Sequence, residues 1–202
     1  MLNIVFTARN IFLASFMATF MLTLFNYALI DNDILSYQVN AFGSNSFQGQ
    51  PVVAPLFMFL MFFAALYFYI FLNKKYFHNT LEKYSFAVSN ILLGLCIAVG
   101  FFANARPFTL LTFVLLFLCL IAIEYINKIR FMGKFYRLFL AFLMPFWLIN
   151  FVLISQKTMV FNPEMRVQLN IGPVPVENLF IWFIFSLVAV YFFERLEAPK
   201  RA

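Results

Sequence analysis

The chain has 202 residues, is 64% hydrophobic and only 11% charged, and contains 32 Phe. A soluble globular domain cannot build a water-facing surface from that composition. The formal net charge of +6 would suit a nucleic-acid partner, but Lys and Arg gather at the ends of apolar runs, where membrane orientation requires them, so nucleic acid is excluded.

A bilayer crossing takes about 20 mostly apolar residues, which leaves room for roughly six or seven spans and no separate soluble domain. Apolar runs occupy 11–30, 52–72, 86–103, 108–126, 138–154 and 179–193. Hydrocarbon offers the backbone no hydrogen-bond partners, so each run is read as a helix. The expected fold is all-α and polytopic, a single transmembrane domain over 1–202 with six transmembrane helices. The first run follows Arg9, but Asn26-Tyr27-Ala28 leads into Leu29 and Ile30 rather than a small-residue cleavage site, so it is read as a retained span. Cys96 and Cys119 sit inside apolar runs and are read as buried thiols.

Counted by loop, Lys and Arg divide 11 to 3 between the two sides of such a bundle. The excess predicts that both termini are cytoplasmic, in a bacterial inner membrane. The two long loops on the other side, 31–51 and 155–177, both run through Gly and Pro into a Phe-rich helix. Residues 49–57 align with 172–180 without a gap, matching Gly49 to Gly172, Val53 to Val176, Leu56 to Leu179 and Phe57 to Phe180. The pattern suggests two three-helix halves in parallel orientation.

Ionisable groups are costly in a membrane, so each one marks a candidate site. Of the carboxylates, Glu177 and Glu124 are the two expected to face protein interior. Glu177 opens the last helix after Pro173-Val174-Pro175-Val176. It reads either as a first-turn acid stabilised by the helix dipole or as a partly desolvated acid that holds and donates a proton. Glu124 lies four residues before Lys128, the spacing of a helical ion pair. Asn26, Asn90, Asn104 and Asn150 could bond between helices. His78, the single histidine, lies in a basic loop and cannot build a metal site or a triad. Nucleotide loops, nucleophile signatures, haem motifs and metal spacings are absent, and the spans offer too few polar groups for a transport path. The Phe content suits an aromatic-walled apolar cavity between helices.

Several stretches together are similar to the lycopene cyclase domain family, the membrane-embedded, cofactor-independent carotenoid cyclases. They are Gly133-Lys134-Phe135-Tyr136-Arg137, the run Met144 to Asn150, Val160-Phe161-Asn162-Pro163, and Leu169 to Phe180 with its Pro175-Val176-Glu177-Asn178. Ala105 to Phe113 resembles the family's loop into its next span. The resemblance implies an isomerase that closes rings at the ends of a linear carotenoid by protonation, carbocation closure and proton loss, with no cofactor. It implies Glu177 as the candidate acid, with Asn178 and Asn150 as the other site residues, and membrane lipid or carotenoid as the ligand.

Three departures stand against that activity. Pro51-Val52-Val53-Ala54-Pro55 carries no carboxylate where the family's first motif has one, Asn178 replaces an acid, and Phe25-Asn26 stands where the family has Trp-Asp in a chain that starts late. The reading favoured is a catalytically degenerate member, a membrane subunit or lipid-binding scaffold with another membrane subunit as partner. The alternative is an active cyclase, alone or as one half of a hetero-oligomer.

Overall fold

The computed structural model describes residues 2–38, 46–75, 82–127 and 130–198; His78, Lys128, Lys200 and Arg201 lie outside them. Six helices are long and apolar enough to cross a membrane. They are α1 (Leu2–Asp31), α2 (Val53–Lys75), α3 (Glu82–Phe102), α4 (Pro107–Leu120, continued by a π-helical turn over Ile121–Ile126), α5 (Met132–Ser155) and α6 (Val176–Glu197). The protein is an integral membrane protein of all-α class. Arg106 and Pro107 show how the sequence starts a helix here: the residue before proline is extended, and the proline at the first helical position lacks only an N–H that would be unpaired anyway.

The long connections are not irregular. Strand β1 (Leu35–Tyr37) follows α1, and strand β4 (Met159–Phe161) follows α5; they pair antiparallel, Leu35 with Phe161, Ser36 with Val160 and Tyr37 with Met159. Two hairpins complete the loops, β2 (Ser46–Phe47) with β3 (Gln50–Pro51), and β5 (Asn170–Ile171) with β6 (Val174–Pro175). Backbone groups that leave the helices are therefore bonded again within a few residues.

These loops are copies of one another, displaced by 124 positions. Asp33 and Lys157 both take left-handed backbone, with φ of 55° and 56°. The amide of Ile34 donates to Leu29 O at 2.9 Å, as that of Thr158 does to Leu153 O at 2.9 Å. Gln38 donates to Thr158 O at 3.0 Å and Asn162 to Ile34 O at 2.9 Å, closing the ladder at both ends. Exchanging the two copies maps the ladder onto itself, so a pseudo-twofold axis passes through the pair Ser36 and Val160. Towards the other end of the bundle Tyr69 and Phe193, also 124 apart, meet edge to face with centroids 6.2 Å apart.

A repeat is present, but the expected three-helix halves are not: its unit is a helix pair with its loop, α1 and α2 corresponding to α5 and α6, with α3 and α4 between the copies. Its register lies one residue from the ungapped match of 49–57 with 172–180. Turn chemistry explains the slip. The first hairpin turns at Gln48 and Gly49, both with positive φ (47° and 79°), whereas the second turns at Gly172 (φ 66°) followed by Pro173. These are the two mirror-type turns suited to hairpins, and they place the glycine at different positions. Val52 then separates strand from helix in the first copy only.

Helix α6 is buried along nearly its whole length, from Ile181 through Val190. On one side α4 covers it, with the Phe113 and Phe180 rings 4.8 Å apart; the corresponding face of α2, with Leu56, Leu60 and Tyr67, is exposed. Helix α1 packs on both α2 and α6. Its buried Ala14, Ser15, Ala18 and Thr19 keep the backbones close, the usual device where lipid supplies no hydrophobic drive. Enlarging Ala18, which is fully buried, to Leu is expected to overpack this contact and cost about 1–3 kcal/mol. Thermal unfolding in mild detergent would register it as a lowered midpoint, while Leu13→Ala, at an exposed position, should leave the midpoint nearly unchanged.

Candidate functional site

Beneath the β1–β4 ladder, α1, α2, α5 and α6 enclose an apolar cavity of about 190 Å³. Its wall repeats the symmetry of the fold. Leu22 and Phe146, Asn26 and Asn150, Leu29 and Leu153, Leu35 and Met159, Tyr37 and Phe161, Ala54 and Asn178, Phe57 and Ile181, and Met58 and Trp182 all line it, and each pair is 124 positions apart. Trp182 in the wall stacks on both Phe146 (4.5 Å, 9°) and Phe62 (5.0 Å, 10°).

The polar part of the wall is made of amides and one phenol. Asn178 Nδ2 donates to Asn150 Oδ1 at 2.8 Å, and Asn150 Nδ2 donates back along its own helix to Phe146 O at 2.9 Å. Asn150 is therefore satisfied on both sides. Its counterpart Asn26 has only long contacts, 3.5 Å to the Tyr37 hydroxyl and 3.8 Å to Met58 Sδ. Burial of Tyr37 in the strand pushes its hydroxyl above the ordinary phenol range, so it is a neutral donor at physiological pH.

Glu177 is elsewhere. It is 2% exposed but absent from the cavity wall, because the residue after it, Asn178, takes the cavity side of the helix. One carboxylate oxygen, Oε1, accepts from the Thr109 hydroxyl of α4 at 2.6 Å and from the Val167 amide at 3.1 Å; the other, Oε2, is buried with no partner among the described residues. Of the sequence-predicted site residues, the fold brings Asn178 and Asn150 together and sets Glu177 behind them, latched to α4 and the loop before β5.

Two other carboxylates have interior partners. Ser89 donates to Glu124 Oε2 at 3.2 Å and shares a 2.7 Å bond with the Tyr136 hydroxyl, within the π-helical turn's surroundings. Glu194 is as buried as Glu177, at 2%, and accepts from the Tyr69 hydroxyl at 2.7 Å. Glu194 is not among the carboxylates expected to face protein interior; the Tyr69 hydroxyl comes from α2, 125 residues away, and nothing local signals it. Tyr37 and Trp182 were likewise not singled out, since an aromatic residue in so aromatic a chain carries no individual mark. No group of three or more His, Cys, Asp or Glu side chains able to hold a metal occurs among the described residues.

Fold and site together define a polytopic helical membrane protein with a pseudo-twofold apolar pocket closed by a strand pair. Residues 105–196, which take in α4, α5, the second loop and nearly all of α6, match the family model described as lycopene cyclase. No curated protein and no solved structure matches it.

Two outcomes follow from this geometry. Thr109→Val removes the hydroxyl that holds Glu177 and leaves a buried acceptor short of a partner, so a loss of about 1–3 kcal/mol in unfolding stability is expected, with Thr109→Ser restoring most of it. For Tyr37, the folded chain favours the neutral phenol. Its contribution to stability is complete below about pH 10, the ordinary phenol value, and is lost as pH rises above it. Unfolding midpoints measured across that range should fall less steeply for Tyr37→Phe than for the wild type.

Proposed function

We infer that the chain holds one end group of a linear carotenoid in the apolar cavity, and that it is a catalytically degenerate relative of the cyclases, acting as a membrane subunit or lipid-binding scaffold. The size of the cavity supports an end-group site. An engineered apolar cavity of about 150 Å³ takes a benzene; 190 Å³ suits one ring-sized terminus and leaves the rest of a long chain outside, among lipid.

The observation that carries the degenerate reading is the chemistry of the wall: among the described residues no carboxylate lines the cavity, and its polar groups are the amides of Asn26, Asn150 and Asn178 and the Tyr37 hydroxyl. Proton-initiated closure needs an acid aimed at the terminal double bond and a base for the neighbouring proton; each contributes about 10²–10⁴-fold. Amides supply neither. The aromatic stack at Trp182 would shelter a cation, but no group on the wall generates one. A partner membrane subunit would bring the missing carboxylates. The 11 to 3 division of Lys and Arg supports cytoplasmic termini and an inner-membrane location.

The second reading, an active cyclase alone or as half of a hetero-oligomer, draws on Glu177 Oε2, a buried and unpartnered carboxylate oxygen one residue from the cavity wall. Pigment analysis separates the two. In lycopene-accumulating cells the wild type and Glu177→Gln are both expected to leave lycopene unchanged, while lycopene co-purifies with the protein in mild detergent. Ring-bearing carotenoid made by the wild type and lost in Glu177→Gln would establish the cyclase reading instead.

A further inference from the structure

The cavity's symmetry is broken at one place, and the break leaves a polar group with only long contacts. On one side Asn150 is paired with Asn178. On the other the position of Asn178 is held by Ala54, which has no hydrogen-bonding side chain, and Asn26, the counterpart of Asn150, loses its partner. Nor does Asn26 bond back to the fourth residue before it, as Asn150 does to Phe146 O. Its amide is 94% buried, taken from a relative exposure of 6%, lines the cavity, and reaches only the Tyr37 hydroxyl at 3.5 Å and Met58 Sδ at 3.8 Å. Contacts of that length are at or beyond the limit of useful hydrogen bonding. A buried primary amide offers two donors and a carbonyl acceptor, and leaving them unmade is unfavourable.

We propose that Asn26, with the neighbouring Tyr37 hydroxyl, recognises a hydroxyl group on an otherwise hydrocarbon end group, so that the preferred ligand is a hydroxylated linear polyisoprenoid rather than the pure hydrocarbon. This rests on the cavity being an end-group site. An alcohol fits both needs of the amide at once: its O–H donates to Asn26 Oδ1, and its oxygen accepts from Asn26 Nδ2. A hydrocarbon in the same place would cover the amide and satisfy neither. The apolar remainder of the wall, from Leu22 to Met61 and around Trp182, accepts the hydrocarbon part of either ligand.

The test compares lycopene with its 1-hydroxy-1,2-dihydro derivative, which differ only by the addition of water across the terminal double bond. The chain has two tryptophans. In a Trp147→Phe background the single remaining emitter is Trp182, in the cavity wall, and bound polyene quenches it. In nanodiscs the protein is expected to bind the hydroxylated polyene about tenfold more tightly or better. Asn26→Leu should abolish that preference and keep hydrocarbon binding. Ala54→Asn, which supplies the amide that symmetry places opposite Asn178, should also abolish it by pairing with Asn26, and so serves if the first variant does not fold. Equal affinities in the parent protein, or a preference that survives both variants, would overturn the proposal. Quenching by neither polyene would overturn the end-group site itself, and the proposal with it.

Discussion

Peptide groups that leave a helix at the rim of a membrane must find hydrogen-bond partners at once, and here both long loops find them in each other. Three residue pairs between β1 and β4, closed by the bonds of Gln38 and Asn162, tie the end of α1 to the end of α5 across the pseudo-twofold axis. The ladder sets the spacing of the four helices below it. It also roofs the cavity with Leu35, Tyr37, Met159 and Phe161, one alternate pair of side chains from each strand. Together with the packing of α1 on α6 and of α2 on α5, the ladder fixes the relation of the two copies, so that wall residues 124 positions apart face one another.

The same symmetry explains where polarity is spent. Each copy brings an asparagine from its first helix to the cavity, Asn26 and Asn150, and the second copy adds Asn178. The amide pair Asn150 and Asn178 cross-links α5 to α6, and the Thr109 and Val167 bonds of Glu177 link α6 to α4 and to the loop. The start of α6 is thus held on two sides by different side chains, an amide towards the cavity and a carboxylate away from it. That division follows from helical geometry, since adjacent residues project about 100° apart around the axis. It is the reason the one acidic residue of the motif does not line the cavity.

The two copies have diverged in what surrounds them as well as in what lines the cavity. Helix α6 lies inside the bundle under α4, while the matching face of α2 is exposed. Burial on all sides lets α6 carry Glu177, Glu194 and Ser186 inside the protein, each nearly inaccessible. The positions of these residues in α2 are Val53, Ile70 and Phe62, all apolar, and Phe62 is itself fully buried against Trp182.

Much of this was determined by the residues alone. A chain with 32 Phe and 11% charge has to be a membrane bundle, and the runs of apolar residues mark its six helices, because hydrocarbon forces backbone bonds to stay inside each segment. The Pro-Val-Glu-Asn motif and its neighbours were enough to suggest the family. The Gly and Pro residues before α2 and α6 showed that a repeat exists, but not its register, because two hairpin turns with glycine at different positions look alike as letters. Which side of α6 each motif residue faces, the pairing of Asn150 with Asn178, the bond of buried Glu194 to Tyr69 and the long contacts of Asn26 were decided only by tertiary structure. Each depends on contacts between segments far apart in the chain, and in a sequence this rich in Phe, Leu and Ile no local pattern distinguishes a side chain facing lipid from one facing a cavity.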